Sequence, residues 1–200
     1  MNETVYIVNG ARTPMGGLQG CFSSISAVEL GSAAIEETLN RSCIEKKEVQ
    51  EVIMGCVLPG GLRQGPARQA AIQAGIPVET GASTINKLCG SGMKATMLAF
   101  DSIKAGSNRL VIAGGMESMS NAPYLLPKAR QGLRMGHGEI QDSMFTDGLE
   151  DASSGRLMGS FAQEVADEYQ LTRESMDEFA ITSLSKAKAA IENQSLAPEI

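Results

Sequence analysis

The sequence predicts an α/β fold with a mixed, mostly parallel sheet and helices on both of its faces. Short apolar segments alternate with segments of helical periodicity over roughly the first 115 residues. Glycine and proline separate consecutive segments, as expected for turns between elements. The 200 residues are 42% hydrophobic and 20% charged, which is the composition of an ordinary globular chain.

The elements of this part follow in chain order. Residues 5–8 (VYIV) predict a strand, which the turn dipeptide Asn9-Gly10 ends. Proline opens and glycine follows a predicted helix at 66–74, the asymmetry typical of helix ends. The other predicted elements are a helix at 29–40, strands at 49–57, 83–86 and 109–113, and a helix at about 90–104. This last helix is apolar on nearly all sides, so we expect it to be buried.

The second part of the chain has a different character. Residues 118–156 are rich in Gly, Pro, Ser and Met without a sustained period, which favours functional loops or a contact surface. Two helices are predicted afterwards, at 161–169 and 173–193, the second capped by Thr172. We therefore expect an α/β domain at 1–117, and at 118–200 a partial loop domain with the following helices, interrupted by the end of the chain.

Composition excludes several functions. The formal net charge of −6 argues against a nucleic-acid partner, which requires a basic face. No apolar run reaches the ~18 residues of a membrane span, and a secretory signal is not expected. The single histidine and the absence of close cysteine pairs argue against a metal site. We expect free thiols in a reducing compartment, the cytoplasm, at Cys21, Cys43, Cys56 and Cys89.

Cys89 is the candidate for chemistry. It lies within residues 86–92 (NKLCGSG), where a predicted strand ends and the apolar helix begins. Unpaired N–H groups at a helix start favour a thiolate and can bind an oxyanion formed from a thioester. Gly90 and Gly92 would leave space beside the sulfur for an acyl group. A structural cysteine beside a glycine turn explains the pattern equally well, so both interpretations stay open.

Other polar residues have simpler interpretations. His137 lies between two glycines in the loop region, and nothing in the sequence places it within hydrogen-bond distance of Cys89. We therefore reject it as a general base that would deprotonate Cys89. Glu117 follows a strand without a partner carboxylate, which favours a structural hydrogen-bond acceptor. The methionines between Met93 and Met158 are expected to fill gaps in the core. A basic patch for ligand phosphates is a further hypothesis, although scattered basic residues usually form only a solvated face. Its candidates are Lys87, Lys94, Arg109, Lys128, Arg130 and Arg134, of which the last three are favoured because they lie in the loop region.

A series of motifs resembles the thiolase family along the whole chain. The motifs stand at residues 11–14 (ARTP), 55–59 (GCVLP), 66–71 (PARQAA), 86–92 (NKLCGSG), 113–120 (AGGMESMS), 147–149 (DGL) and 158–159 (MG). Several motifs of this length in the right order make a chance match implausible. The chain is therefore identified as similar to the N-terminal half of a thiolase, without the C-terminal repeat of the fold.

The resemblance implies acyl transfer between coenzyme A thioesters, either acetyl-CoA C-acetyl transfer or 3-ketoacyl-CoA thiolysis, within fatty acid metabolism. It implies that Cys89 is the nucleophile that carries the acyl group. It also implies that Leu149 and Met158 line the pantetheine arm of CoA. CoA and acyl-CoA would be substrates, with no tightly bound cofactor and no metal. Leu157 stands where many acetoacetyl-CoA-specific relatives have histidine, which favours a broader chain-length preference. A homodimer or homotetramer is implied for the full-length enzyme.

The same resemblance shows what this chain lacks. The histidine that activates the nucleophile, the asparagine of an Asn-Glu-Ala-Phe stretch and the second cysteine have no counterpart after residue 120. We therefore expect the 200 residues alone to be inactive and to expose hydrophobic surface. Two other hypotheses remain: a decarboxylating condensing enzyme of the same fold, and a non-catalytic truncated paralogue that serves as an interaction subunit or thiol sensor.

Overall fold

The computed structural model describes residues 4–200, which divide into two compact units. The first unit extends to Gly148, and the second runs from Leu149 to Ile200. The first unit contains α1 (Ala27–Ser42), β1 (Glu51–Gly55), α2 (Pro66–Gln73), β2 (Gly81–Ile85), α3 (Ser91–Lys104), β3 (Val111–Gly115), β4 (Tyr124–Leu125) and β5 (Gln141–Asp142). The second contains α4 (Met158–Glu168) and α5 (Arg173–Glu192). The domain boundary predicted at residue 117 stays a prediction.

A parallel sheet forms the centre of the first unit. Its strand order is β2-β1-β3, and β1 pairs in parallel with both neighbours. Glu51 lies opposite Gly81 on one side and Val111 on the other, so the three strands start in register. Their carboxyl ends therefore share one edge of the sheet, where the segments after Ile85 and Gly115 emerge. The predicted α/β fold with helices on both faces is confirmed.

The main core lies between α1, α2 and one face of the sheet. Alternate residues of β1 face this core, since side chains alternate along a strand. Val52 and Met54 are buried there, together with Cys56, which follows the strand. Both helices have small residues on the side that faces this core. At Gly31 of α1 an added Cβ would lie 2.5 Å from Sδ of Met116, the residue that follows β3. The two helices thus cover one face of the sheet.

Capping side chains explain where two helices begin. The Ser26 hydroxyl accepts from the Glu29 amide at 3.2 Å, and the Glu29 carboxylate accepts from the Ser26 amide at 2.8 Å. This capping box starts α1 two residues before the predicted helix. Thr172 accepts from the Ser175 amide at 3.2 Å, as predicted for the start of α5.

The opposite face of the sheet packs against α3, which is less buried than predicted. Only Ser91, Ala95 and Ala99 of this helix are buried. Its outer side exposes an apolar stripe at helical spacing, formed by Met93, Met97 and Phe100. The prediction of a buried helix is wrong for the described chain because no described element covers this stripe.

Two further expectations fail for related reasons. The strand predicted at 5–8 does not form, since no described strand pairs with these residues, and Ile7 is 87% exposed. Most methionines from Met93 to Met158 do not fill the core either. Met116 is buried at 6% exposure, whereas Met135 is 98% exposed.

The region after β3 contains more local structure than its composition suggested. β4 and β5 pair antiparallel, and the Ser143 amide and hydroxyl both donate to the Pro123 carbonyl, at 3.2 and 2.5 Å. A π-helical turn covers Phe145–Leu149. Within residues 4–200, no helix is long and apolar enough to cross a membrane.

Candidate active site at the carboxyl edge of the sheet

Cys89 lies at the carboxyl edge of the parallel sheet, between β2 and α3. The chain leaves β2 at Ile85, turns through residues 86–90 and enters α3 at Ser91, with Gly90 as the N-cap. Cys89 was predicted to lie in the first turn of this helix, but in the structure it precedes the N-cap residue. Its side chain is exposed, as are those of Cys21 and Cys43, whereas Cys56 is buried. The structure thus offers an accessible thiol at the edge where α/β folds usually bind ligands.

The turn before Cys89 is held in an uncommon backbone conformation. Leu88 has a φ of 50°, in the left-handed region that leucine rarely adopts. The Asn86 side-chain oxygen accepts from the Leu88 amide at 2.8 Å, and the Ser91 hydroxyl donates to the Leu88 carbonyl at 2.6 Å. The same hydroxyl accepts from the Lys87 amide at 2.8 Å. Because this conformation is costly, such a residue persists only where its surroundings hold it, and it is often found at functional sites.

The start of α3 also provides free hydrogen-bond donors. The Gly90 and Ser91 amides donate to the carbonyls of Lys87 and Leu88, at 3.1 and 3.0 Å. The next two amides, of Gly92 and Met93, have no acceptor among residues 4–200. Such N–H groups carry the positive end of the helix dipole, which favours negative charge nearby.

Close backbone packing fixes the position of this helix start. A Cβ on Gly55 of β1 would lie 2.6 Å from the Cβ of Ser91 and 2.8 Å from the amide nitrogen of Gly92. The Gly92 Cα in turn lies 3.5 Å from the position that a Cβ would take on Gly115 of β3. Gly92 therefore faces β3, which corrects the expectation that it leaves space beside the sulfur. The glycines bring α3 close to two strands at once.

Glu117 has a structural role, as its isolated position in the sequence suggested. Its carboxylate accepts from the Val57 amide at 2.7 Å and from the Leu58 amide at 3.1 Å. It also accepts from the Cys56 thiol at 3.6 Å. Burial, together with the negative charge of Glu117 beside the thiol, raises the pKa of Cys56 to about 12. Cys56 is therefore a protonated thiol and not a nucleophile at neutral pH.

The remaining predicted residues lie elsewhere. His137 is exposed in the loop between β4 and β5, where the basic side chains of Lys128, Arg130 and Arg134 are also exposed. Two surface hollows of the described part, of about 520 and 160 Å³, do not include Cys89. Residues 4–200 hold no cluster of three His, Cys, Asp or Glu side chains suited to a metal.

Leu149 and Met158 belong to the second unit, where an antiparallel bridge between Glu150 and Leu157 brings them to neighbouring positions. The loop that they flank is closed by the Asp151 amide, which donates to the Arg156 carbonyl at 2.8 Å. Met158 is 47% exposed at the start of α4. Their predicted contact with CoA stays a prediction.

Sequence reasoning did not single out Asn86 and Ser91, whose side chains hold the turn. Asn86 stands two residues before Leu88, the spacing at which asparagine commonly caps its own turn, and this signal could have found it. The role of Ser91 at the first helical position carries no comparable signal.

Comparison with known proteins agrees with this architecture. The model of the thiolase N-terminal domain family matches residues 5–200. An acetyl-CoA acetyltransferase of Pseudomonas aeruginosa is 48% identical over 198 residues, which cover 99% of this chain and 50% of that protein. Acetyl-CoA acetyltransferase 2 of Arabidopsis thaliana is 50% identical over 188 residues, covering 94% and 47%.

A solved structure gives the same result. The Acat5 thiolase of Ascaris suum, in complex with coenzyme A, superposes with a TM-score of 0.93 at 37% identity, over 98% of this chain and 50% of that one. The described chain thus has the fold of about half of that thiolase. The chain belongs to the thiolase family and corresponds to its N-terminal domain. It spans about half the length of the curated relatives that it matches.

Proposed function

We propose that the protein containing this chain transfers acyl groups between coenzyme A thiols through a thioester on Cys89. The observation that carries the proposal is the exposed Cys89 at the carboxyl edge of the sheet, one residue before the N-cap of α3, in a member of the thiolase family. The acetyl-CoA acetyltransferases among its relatives and the CoA complex of the Ascaris thiolase support this chemistry.

The described residues supply the nucleophile and backbone hydrogen-bond donors for the first half of the reaction. The Cys89 sulfur attacks the carbonyl carbon of an acyl-CoA, a tetrahedral oxyanion forms, and the CoA thiolate leaves as the new thioester is completed. Negative charge on the oxyanion is favoured by the unpaired N–H groups at the start of α3. The acyl group then passes to a second thioester or back to CoA.

The base that activates Cys89 and the acid that protonates the leaving group lie outside this chain in our proposal. The one histidine in the sequence, His137, lies exposed in the loop between β4 and β5. Since the chain spans about half of its relatives' length, we propose that the remaining half of the whole protein supplies these groups. The 200 residues alone should then show little or no turnover.

Substrate choice forms the finer part of the proposal. The names of the relatives favour acetyl transfer, whereas the apolar Leu157 favours a broader range of 3-ketoacyl chain lengths. Leu149 and Met158 would contact the pantetheine arm, so Met158→Glu should raise the KM for CoA and leave the alkylation rate of Cys89 unchanged. We further propose a homodimer or homotetramer in the cytoplasm, which light scattering and cell fractionation would measure.

The test uses the whole protein incubated with acetyl-CoA and analysed by mass spectrometry of its peptides. The proposal predicts one acetyl group on the peptide that contains Cys89, and none after Cys89→Ser. Cys43→Ser is the matched control, since Cys43 is equally exposed but belongs to the end of α1. Acetylation from an acyl-carrier protein instead would favour a decarboxylating enzyme. An unmodified Cys89 in an otherwise folded protein would refute acyl transfer and favour the non-catalytic alternative.

A further inference from the structure

Glu117 connects two strands at the carboxyl edge of the sheet. It lies two residues after β3, and its carboxylate binds the backbone amides of Val57 and Leu58, in the segment that follows β1. With the Cys56 thiol as a third donor, the carboxylate has partners on three consecutive residues. Charge-assisted hydrogen bonds of this kind are stronger than neutral ones, so Glu117 fixes the backbone of this segment.

The same segment holds Asn86, which precedes the turn of Cys89. The Asn86 side-chain nitrogen donates to the Val57 carbonyl at 3.2 Å, while its oxygen accepts from the Leu88 amide at 2.8 Å. Asn86 therefore uses both ends of its amide, one toward the segment after β1 and one toward the turn. The peptide group between Val57 and Leu58 is shared, since its N–H, on Leu58, donates to Glu117 and its carbonyl, on Val57, accepts from Asn86.

The Leu88 backbone is the group that connects these hydrogen bonds to Cys89. Its left-handed φ of 50° sets the direction in which the chain enters Cys89. A leucine leaves this conformation readily unless hydrogen bonds hold it there. The Asn86 oxygen supplies one such bond, and it is the one that connects the turn with β1 and β3.

We propose that Glu117 and Asn86 are positioning residues for Cys89, acting through one chain of hydrogen bonds from Glu117 to Val57, Asn86 and Leu88. Neither side chain touches the reacting atoms in this proposal. Their effect is to hold the turn so that the sulfur stays at the start of α3. The inference rests on the proposed function of Cys89 as acyl acceptor.

A similar pair on the opposite edge of the sheet offers a matched control. The Asn108 side chain donates to the Glu51 carboxylate at 2.7 Å and to the Ser102 hydroxyl at 2.6 Å. This pair has the same residue types and comparable hydrogen bonds, but it lies at the amino ends of the strands. A merely structural role predicts similar effects for both pairs, whereas positioning predicts that only the pair at the carboxyl edge affects Cys89.

The experiment is a double-mutant cycle in the whole protein with Cys21 and Cys43 replaced by serine. Asn86→Ala, Glu117→Gln and the double variant are compared for single-turnover acylation of Cys89 by acetyl-CoA. Each single variant should lose about tenfold in rate, the scale of one hydrogen bond to a positioned group. Because both act through one chain, the double variant should fall no more than about twofold below the slower single variant.

Hydrogen exchange at the Leu88 amide gives a readout that does not depend on acyl transfer. Both Asn86→Ala and Glu117→Gln should accelerate it, whereas Asn108→Ala and Glu51→Gln should not. Asn86→Asp keeps the acceptor for Leu88 but loses the donor to Val57, so Leu88 should exchange faster than in the unsubstituted protein but slower than in Asn86→Ala. Because the chain of bonds is already interrupted in Asn86→Asp, adding Glu117→Gln should not change Leu88 exchange further.

The outcomes separate the proposed acyl transfer on Cys89 from the proposed positioning role of Glu117 and Asn86. If the unsubstituted protein takes no acyl group, the proposed function fails, and hydrogen exchange still decides whether the chain of bonds exists. Independent, multiplying effects on acylation, or unchanged Leu88 exchange in Glu117→Gln, would overturn the positioning role. Because Asn86 is exposed, Asn86→Ala leaves no buried cavity and keeps the test valid if Glu117→Gln does not fold.

Discussion

Replacing Gly55 with alanine tests whether close packing of α3 on the sheet determines the position of Cys89. The added Cβ would lie 2.6 Å from the Cβ of Ser91, 2.7 Å from its carbonyl carbon and 2.8 Å from the Gly92 nitrogen. Ordinary contacts begin at about 3.4 Å, so the first turn of α3 must move by about 0.6 to 0.8 Å. Two of these three atoms belong to the backbone, so no side-chain rotation relieves the contact.

This displacement has two measurable consequences. Overpacking of this kind costs about 1–3 kcal/mol, so Gly55→Ala should lower the free energy of unfolding of the whole protein by that amount. The turn that carries Cys89 enters the same helix, and a misplacement of about 1 Å can cost roughly 100-fold in rate. We therefore expect acylation of Cys89 to fall between about 10-fold and 100-fold. Urea unfolding and single-turnover acylation measure the two effects.

Two other glycines provide controls for the same substitution. An added Cβ at Gly81, the first residue of β2, meets nothing within 4 Å, so Gly81→Ala should change stability by less than about 0.5 kcal/mol. At Gly92, the second residue of α3, the nearest atom would be 3.8 Å away, which is an ordinary contact, so Gly92→Ala should not lower stability by more than about 0.5 kcal/mol. If Gly55→Ala matched Gly81→Ala in both stability and acylation, close packing could not be what positions Cys89.

The remaining predictions concern other parts of the chain. The pKa of Cys56 is raised from its ordinary value of 9.0 to about 12, so the folded state keeps this proton longer and stability falls as pH rises between these values. This loss amounts to about 4 kcal/mol and should be absent in Cys56→Ser, as pH-dependent urea unfolding would show. Ser26→Ala should cost about 1 kcal/mol, and an unchanged unfolding midpoint would contradict its capping role. His137→Ala should leave acylation of Cys89 unchanged, and a loss above about tenfold would restore it as a candidate base. The isolated chain should bind a hydrophobic dye, and Met97→Lys should reduce this binding; a cooperative melt without dye binding would contradict the exposed stripe on α3.

The sequence predicted most elements because their signals are local. Pro66 at the first turn of α2 and Thr172 before α5 mark helix starts that depend on nearby residues alone. The strands β1 and β3 of the parallel sheet were found for a similar reason, since each is a short apolar segment between breakers. Local patterns can thus specify elements without any knowledge of their partners.

The errors concern features that depend on partners distant in sequence. An apolar segment such as residues 5–8 becomes a strand only when another strand pairs with it, and none of the described strands does. The exposed side of α3 shows the same dependence, because an apolar helix is buried only by what packs on it. The hydrogen bonds of Glu117 span about 60 residues, so no window of sequence could have revealed them.

The position of Cys89 follows from two kinds of constraint that mutations can separate. Contacts of Gly55 with the first turn of α3 set the distance between helix and sheet, and they belong to the packed interior. The hydrogen bonds of Asn86 set the conformation of Leu88, and they lie in an exposed turn. Substitutions of the first kind should therefore lower stability and reactivity together, since they move packed backbone. Those of the second kind should lower the reactivity of Cys89 with little effect on unfolding, because an exposed turn contributes little to global stability.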